Sequence, residues 1–535
     1  MPAPVVQRYS TKKALVPVTF RFGGGIGAFE HDSKRPDVGA VMTNGDDRFG
    51  YLMPGPREVV DRTGIAAGFR VIDHVKHNDV DILATTDGTD TKVYRMEGGV
   101  WALKETVASK VCTCVVSMHD GTNSILAVGY GSGAVFRYST NDGTSWTAST
   151  LSGNKARMTT AYVQQDGVAR RVCYVVDPDL VYFGLSLVNG ATVSTPENVG
   201  SGNATDDYFT SVAPDDQGNL IFGKRHLAYR RVVLADSSVN YEIITPYFDD
   251  PLGDAGGQSD RRNFENPVNI MGRLFYPVNG YTLGMWYQGN WSTGLEPREA
   301  GVRIPRLDLP INALARAGRW LVLALGSKNT ASLKTMTNAP GGTNLLQNTF
   351  TTTSELYLGE LVAGGDAIRW HGSVLTCTDP LRYMWFDEND SYLYLASGDS
   401  ESANAQQNRC LLYTDDPIYH TVSGAVTLSN GTVTAEFGMV TGGTRDRKLL
   451  RHASLRATGL TSSVTAALKY RNESGRNTTG AYKTHATYGS VEAAARGTDF
   501  PTSRTFEEMW LQVVLTGSSN SYAVVDRVNL LAEVL

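Results

Sequence analysis

The sequence predicts an all-β chain: a six- or seven-bladed β-propeller followed by a small β-sandwich. Three observations carry that expectation. Almost nothing sustains a helical period beyond two or three turns, with Ile311 to Ala317 the best short helix candidate. Short apolar or aromatic runs broken by Gly, Asp and Asn recur throughout, among them Ile82-Leu-Ala, Ser124-Ile-Leu-Ala-Val, Asn219-Leu-Ile-Phe, Trp320-Leu-Val-Leu-Ala-Leu and Tyr392-Leu-Tyr-Leu. Two of these runs also superpose as repeats. Ile82 to Arg95, followed by Gly98-Gly-Val-Trp101, has the layout of Ile125 to Arg137, followed by Gly143-Thr-Ser-Trp146, with offsets of 43 residues at the isoleucines and 45 at the tryptophans.

An offset of about 40 to 50 residues suits one four-stranded blade, and radial packing of such blades hides the edges that an open sheet would expose. Gly272-Arg-Leu-Phe and Gly318-Arg-Trp-Leu, 46 residues apart, open later runs in the same way. One repeat carries Ser139-Thr-Asn-Asp-Gly-Thr-Ser-Trp146, which resembles the Asp-box of sialidases and other propellers. Ser139, Asn141, Gly143, Ser145 and Trp146 form its pattern, with Asn141 and Ser145 standing at its usual Asp and Thr positions. Such a box is a hairpin: short polar side chains cap the turn, Gly143 takes positive φ, and Trp146 packs the returning strand. The resemblance implies a structural role, away from any active site.

At 535 residues the chain is long enough for more than one core. Apolar residues make up 41% and charged residues 19%, which excludes a disordered chain, and 55 glycines with 25 tyrosines suit many turns between aromatic-rich strands. A formal charge of -5 without a basic block argues against direct nucleic-acid contact. The N-terminal residues lack an apolar stretch of signal-peptide length, and no later run is long enough to predict a transmembrane helix. Five scattered cysteines suit neither a disulfide framework nor a zinc site, and Cys112 and Cys114, two apart on a strand, are expected to share one face as small core side chains.

The texture changes near Thr441. A polar segment, Thr441-Gly-Gly-Thr-Arg-Asp-Arg-Lys448, precedes half-buried strand patterns at 449–458, 463–470, 510–515 and 524–534. The expected organisation is therefore an N-terminal extension at 1–40, the propeller at 41–440, and a docking sandwich at 441–535.

Three passages together resemble the minor tail and tail-tip proteins of tailed bacteriophages. They are Asn44-Gly-Asp-Asp-Arg-Phe-Gly-Tyr-Leu-Met-Pro-Gly-Pro-Arg57, then His371-Gly-Ser-Val with Met384 to Gly398, and finally Lys448 to Leu460 with the strands beyond it. That resemblance implies a non-enzymatic structural component of a virion tail, assembled in the host cytoplasm alongside other tail proteins in a symmetric assembly, with no cofactor. Arg445, Arg447, Lys448 and Arg451 would give the docking domain a local positive charge suited to acidic neighbours.

Chemistry is harder to find. Asp177-Pro-Asp179, Asp215-Asp216, Asp249-Asp250, Asp387 to Asp390 and Asp415-Asp416 are carboxylate-rich, as a sialidase-like glycoside hydrolase would need, yet each suits a turn. The arginines that such an enzyme would use to grip a carboxylate, Arg225, Arg230, Arg273, Arg319 and Arg369, fall near the repeat spacing. No calcium-loop or zinc-protease motif is present, so no metal is expected. The alternative function is recognition of a host-surface carbohydrate, for which Tyr287, Trp291 and Trp370 are the candidate contacts.

Overall fold

The computed structural model describes residues 15–22, 39–62, 64–119, 124–134, 136–150, 152–154, 157–165, 168–177, 180–183, 196–199, 209–248, 263–279, 282–297, 311–326, 335–338, 344–347, 354–362, 367–377, 381–397, 407–412, 414, 432–440, 448–472, 482–500, 505–506, 509–517 and 523–534. Their regular structure is almost entirely β-strand, and seven four-stranded antiparallel sheets hold most of the strand residues. Sheet I runs through Arg70–His77, Val80–Thr86, Thr91–Glu97 and Val100–Val107 in simple up-and-down order. Sheets II to VI repeat that order, starting at Cys112–His119, Arg157–Gln165, Phe209–Pro214, Val268–Ile270 and Ile311–Ala317. Sheet VII takes Leu381–Asp387, Tyr392–Ser397 and Gln407–Leu411 from late in the chain, and its fourth strand is Val59–Arg62.

Each sheet packs on the next. Ile82 and Ala84 of sheet I share a buried cluster with Cys112 and Val128 of sheet II, and Met158 of sheet III joins Met118 and Ile125 of sheet II. Val181 packs with Phe209 and Phe222, Ile221 with Leu274 and Tyr276, Phe275 with Leu323, and Val322 with Leu393. The series returns to its start, because Trp385 and Tyr394 of sheet VII pack on Val71, Tyr94 and Trp101 of sheet I. Strands buried on both faces lose the period-two alternation of a half-exposed strand. Ile311 to Ala317 is such a case: the helix expected there is a strand, buried at every position but Arg316.

The superposed runs occupy equivalent places, since those opening at Ile82, Ile125, Arg273 and Trp320 belong to the second strands of sheets I, II, V and VI. The first strands share a feature that their sequences hide. Five of them carry a β-bulge, at Ile72, Thr113, Thr210, Asn312 and Arg382, where pairing to the second strand slips by one residue. The slip reverses the facing of the residues beyond it. Cys112 therefore packs toward sheet I and Cys114 toward sheet III, on opposite faces, which corrects the expectation that spacing two would place them together.

Two five-stranded sheets complete the fold. One is ordered Leu15–Arg21, Val524–Val534, Lys448–Thr458 and Thr498–Asp499, with Thr505–Phe506 also on Lys448–Thr458. The other is Gly39–Thr43, Val433–Val440, Met509–Thr516, Thr465–Asn472 and Lys483–Tyr488. Phe20, Met42, Phe437, Leu455, Leu468, Leu511, Val513 and Val528 belong to the single apolar cluster that the two sheets share. Strands from residues 15–43, where an N-terminal extension was expected, thus pair with C-terminal strands, as does Val433–Val440, which precedes the expected boundary at 440.

Residues 44–55 bridge the two regions. Leu52 exchanges backbone hydrogen bonds of 2.8 and 2.9 Å with Val525 on one side, while Asn44 Oδ1 accepts from the Thr376 amide at 3.0 Å on the other. Arg48 donates to both Asp46 oxygens, at 3.0 Å through Nε and 2.8 Å through Nη2, and His371 Nδ1 lies 2.8 Å from Asp47 Oδ1. All four residues are buried, and the Arg48 guanidinium sits 4.9 Å from the Trp320 ring. Burial alone would raise the Asp46 carboxyl, but the charge and hydrogen bonds of Arg48, helped by His371, hold it below its ordinary value. Gly55 is required by close approach, since a Cβ there would lie 1.8 Å from the Val374 carbonyl oxygen.

Candidate carbohydrate-binding site

An up-and-down sheet has two ends. The first-to-second and third-to-fourth turns lie at one, while the second-to-third turns and the crossings to the next sheet lie at the other. The strand ends at Ile243, Thr293, Gly326 and Ser397, in sheets IV to VII, all lie at the second end. Tyr247 stands there, on the crossing that leaves sheet IV.

The residue is 62% exposed, and one face of its ring stacks on the His226 imidazole at 4.7 Å with 9° between planes. His226 lies in the turn between Leu220–Lys224 and Ala228–Val233. Its Nδ1 is 2.8 Å from the Phe248 carbonyl oxygen, which can only accept, so Nδ1 carries the proton. The Phe248 amide donates back to the His226 carbonyl at 2.9 Å, and the Ala228 amide donates to Thr245 Oγ1 at 2.9 Å. Phe248 is buried, edge-on to Phe264 at 5.9 Å. Beyond the strand, Pro246 precedes two aromatics of opposite fate: Phe248 anchors the segment and Tyr247 presents an open, backed ring. Beside this platform, Asn263 Nδ2 donates to the Arg225 carbonyl at 2.8 Å and its Oδ1 accepts from the Asn279 amide at 2.6 Å, while Asn279 Oδ1 is buried with no partner.

The aromatic contacts expected from sequence are placed differently. Trp370 is 4% exposed and donates its indole N–H to the Leu295 carbonyl at 2.6 Å, so its ring belongs to the core between sheets V and VI. Trp291 packs against Phe248, Phe264 and Tyr276 at 5.8 to 6.1 Å and fills the space over Gly284. Tyr287 lies at the opposite end, with the Arg273 guanidinium 3.9 Å from its ring. Core packing thus takes up the Trp370 ring and part of the half-buried Trp291 ring.

The remaining candidates are dispersed. Asp215 accepts from the Gln217 and Asn219 amides at 2.9 and 2.8 Å, and Asp387 and Asp390 cap the Asn389 and Tyr392 amides, each at 2.9 Å. Asp179, Asp249, Asp250, Asp415 and Asp416 lie outside the described residues, as do Arg445 and Arg447. Lys448 opens its strand, and Arg451 is paired with Glu533. Arg230 pairs with Glu242 at 2.8 Å, whereas Arg319 and Arg369 both approach Glu360, at 3.9 and 3.8 Å, so the arginines do not converge on one anion site. Burial pushes the Cys112 thiol up to about 12 and Cys114 to about 11, which removes both as nucleophiles at neutral pH. Among the described residues no three His, Cys, Asp or Glu side chains are grouped to hold a metal, and no helix is long and apolar enough to cross a membrane.

In the Ser139 to Trp146 hairpin, Ser139 Oγ accepts from the Gly143 amide at 2.9 Å and Asn141 Oδ1 from the Ser145 amide at 2.9 Å. Asn141 Nδ2 donates to Ser145 Oγ at 2.9 Å, Gly143 has φ of 80°, and Trp146 donates its indole N–H to the Gly143 carbonyl at 3.1 Å.

No family model matches the sequence, and no curated protein does. Solved structures similar to the chain include Raptor of Chaetomium thermophilum, at 10% identity and a TM-score of 0.41 over 68% of this chain and 29% of that one. A streptogramin B lyase matches at 10% identity and 0.41, over 67% and 98% of the two chains. Virginiamycin B lyase of Staphylococcus aureus matches at 9% identity and 0.39, over 67% and 99%. The expectation of a non-enzymatic structural component of a phage tail is corrected to that of a chain whose distant fold likeness includes two lyases. Likeness this distant assigns no activity to the chain in its place.

Proposed function

We propose that the chain is a seven-bladed β-propeller joined to a β-sandwich, and that it binds carbohydrate at the propeller end carrying Tyr247. The propeller reading is supported by the cyclic packing of sheets I to VII and by Val59–Arg62, a strand from before the first sheet that completes the last one. The corresponding domain division puts residues 59–412 in the propeller, and 15–43 with 433–534 in the sandwich.

The binding reading rests on one observation, the exposed Tyr247 ring backed by His226. A sugar presents a C–H face that packs on an aromatic ring, and a ring already held in place loses little conformational freedom when it is covered. Rigid backing separates such a platform from an ordinary exposed tyrosine.

Glycan-array binding of the full chain tests the proposal. Tyr247→Ala should weaken the bound glycans by about tenfold or more, which is about 1.4 kcal/mol, while Tyr247→Trp should keep them. Absence of glycan binding, or equal binding by Tyr247→Ala, would overturn it.

A further inference from the structure

At the opposite end of the sheets a serine, a histidine and an aspartate form one hydrogen-bonded line. His77 closes the first strand of sheet I, Ser117 lies near the end of the first strand of sheet II, and Asp142 belongs to the Ser139 to Trp146 hairpin. His77 is 1% exposed, with Nδ1 2.8 Å from Ser117 Oγ and Nε2 3.1 Å from Asp142 Oδ1. An ionised carboxylate only accepts, so Nε2 carries the imidazole proton and Nδ1 offers its lone pair to the Ser117 hydroxyl. Asn78 Nδ2 donates to the same Asp142 oxygen at 2.7 Å and to Ser124 Oγ at 2.9 Å, and Arg95 donates to the Asp142 carbonyl at 3.2 Å. The carboxylate is therefore fixed, the imidazole is fixed by it, and the tautomer is the one a general base needs.

We infer that Ser117 is a nucleophile toward carboxylic esters with small acyl groups, with His77 as its base and Asp142 as the positioning residue. Ser117 Oγ attacks the ester carbonyl carbon as its proton passes to His77 Nδ1. The tetrahedral adduct collapses, the carbon–oxygen bond to the alcohol breaks, and the alcohol leaves with that proton. Water then attacks the acyl-serine and gives a proton to His77, and cleavage of the bond to Oγ releases the carboxylic acid as the proton returns to Ser117. A small acyl group is specified because Ser117 is half-buried on the first strand of its sheet. This site lies at the far end from Tyr247 and is independent of carbohydrate binding.

The test treats the folded full-length chain with a fluorophosphonate probe, maps the adduct by mass spectrometry, and follows hydrolysis of 4-nitrophenyl acetate. An adduct on Ser117, lost in Ser117→Ala, is expected. His77→Gln, checked for an unchanged thermal transition, should slow acylation by at least about a hundredfold. The wild-type rate should rise with pH through a single ionisation that His77→Gln removes. Asp142→Asn, which leaves a side chain of the same shape, should lower the rate and displace that ionisation. A folded protein that takes no adduct, an adduct on another residue, or equal labelling of His77→Gln would each overturn the inference.

Discussion

Two polar networks in this chain use the same chemistry in opposite settings. In the Ser139 to Trp146 hairpin every internal hydrogen bond joins residues no more than four apart, and Asn141 and Ser145 bond at the surface. At the junction of residues 44–55, the bond from His371 to Asp47 spans 324 residues, and Asp46, Asp47, Arg48 and His371 are all buried. Local bonds at a surface replace water one for one and add about 1 kcal/mol each. A buried ion pair gains little over an apolar pair of the same shape, yet removing one partner strands the other without solvent. The junction should therefore be the more fragile of the two.

Breaking that contrast at its strongest point means removing Arg48. Arg48→Met should cost about 3 to 5 kcal/mol in urea unfolding, because Asp46 stays buried without its partner. The double variant Asp46→Asn with Arg48→Met should recover most of the loss, and failure to recover would mean that Arg48 acts through packing on Trp320 instead of through charge. Gly55→Ala comes next, at about 2 to 3 kcal/mol, since the added carbon meets backbone that cannot turn aside. In the hairpin, Gly143→Ala should cost about 1 to 2 kcal/mol for the left-handed backbone, and Ser139→Ala about 1 kcal/mol. Hairpin losses equal to the junction's would dissolve the distinction.

Acid sharpens it further. Asp46 has its folded pKa depressed, so its contribution is present above the ordinary aspartate value of about 3.9 and is lost as pH falls through the folded value. Unfolding free energy followed from pH 6 to pH 2 should drop more steeply in the wild type than in the Asp46→Asn, Arg48→Met double variant. Parallel curves would mean that Asp46 does not couple folding to protons.

The same contrast decides what could be read from the chain. The hairpin was legible because its whole hydrogen-bond pattern fits inside eight consecutive residues, and the second strands were legible because runs such as Ile82 and Ile125 repeat at blade spacing. The bulges were not, since a slip of one residue at Thr113 leaves no mark in composition and yet sends Cys112 and Cys114 to opposite faces. Ile311 to Ala317 misled because a strand buried on both sides shows no period of two. Nothing local marks Asp46, Asp47 and Arg48 as a buried network, for their partner His371 is set by topology. At the proposed carbohydrate site the aromatic residues themselves could be seen, but not their exposure. Trp291 and Trp370 sit beside glycines and polar residues and still face inward, whereas Pro246-Tyr247-Phe248 comes after a strand and turns one ring out.

Hydrogen–deuterium exchange of the full chain, with and without a glycan selected on the array, tests the binding claim most directly. Binding at Tyr247 predicts slower exchange in peptides covering 225–248 and unchanged exchange in the 139–146 hairpin at the other end. Protection of the hairpin end with none at 225–248 would contradict it.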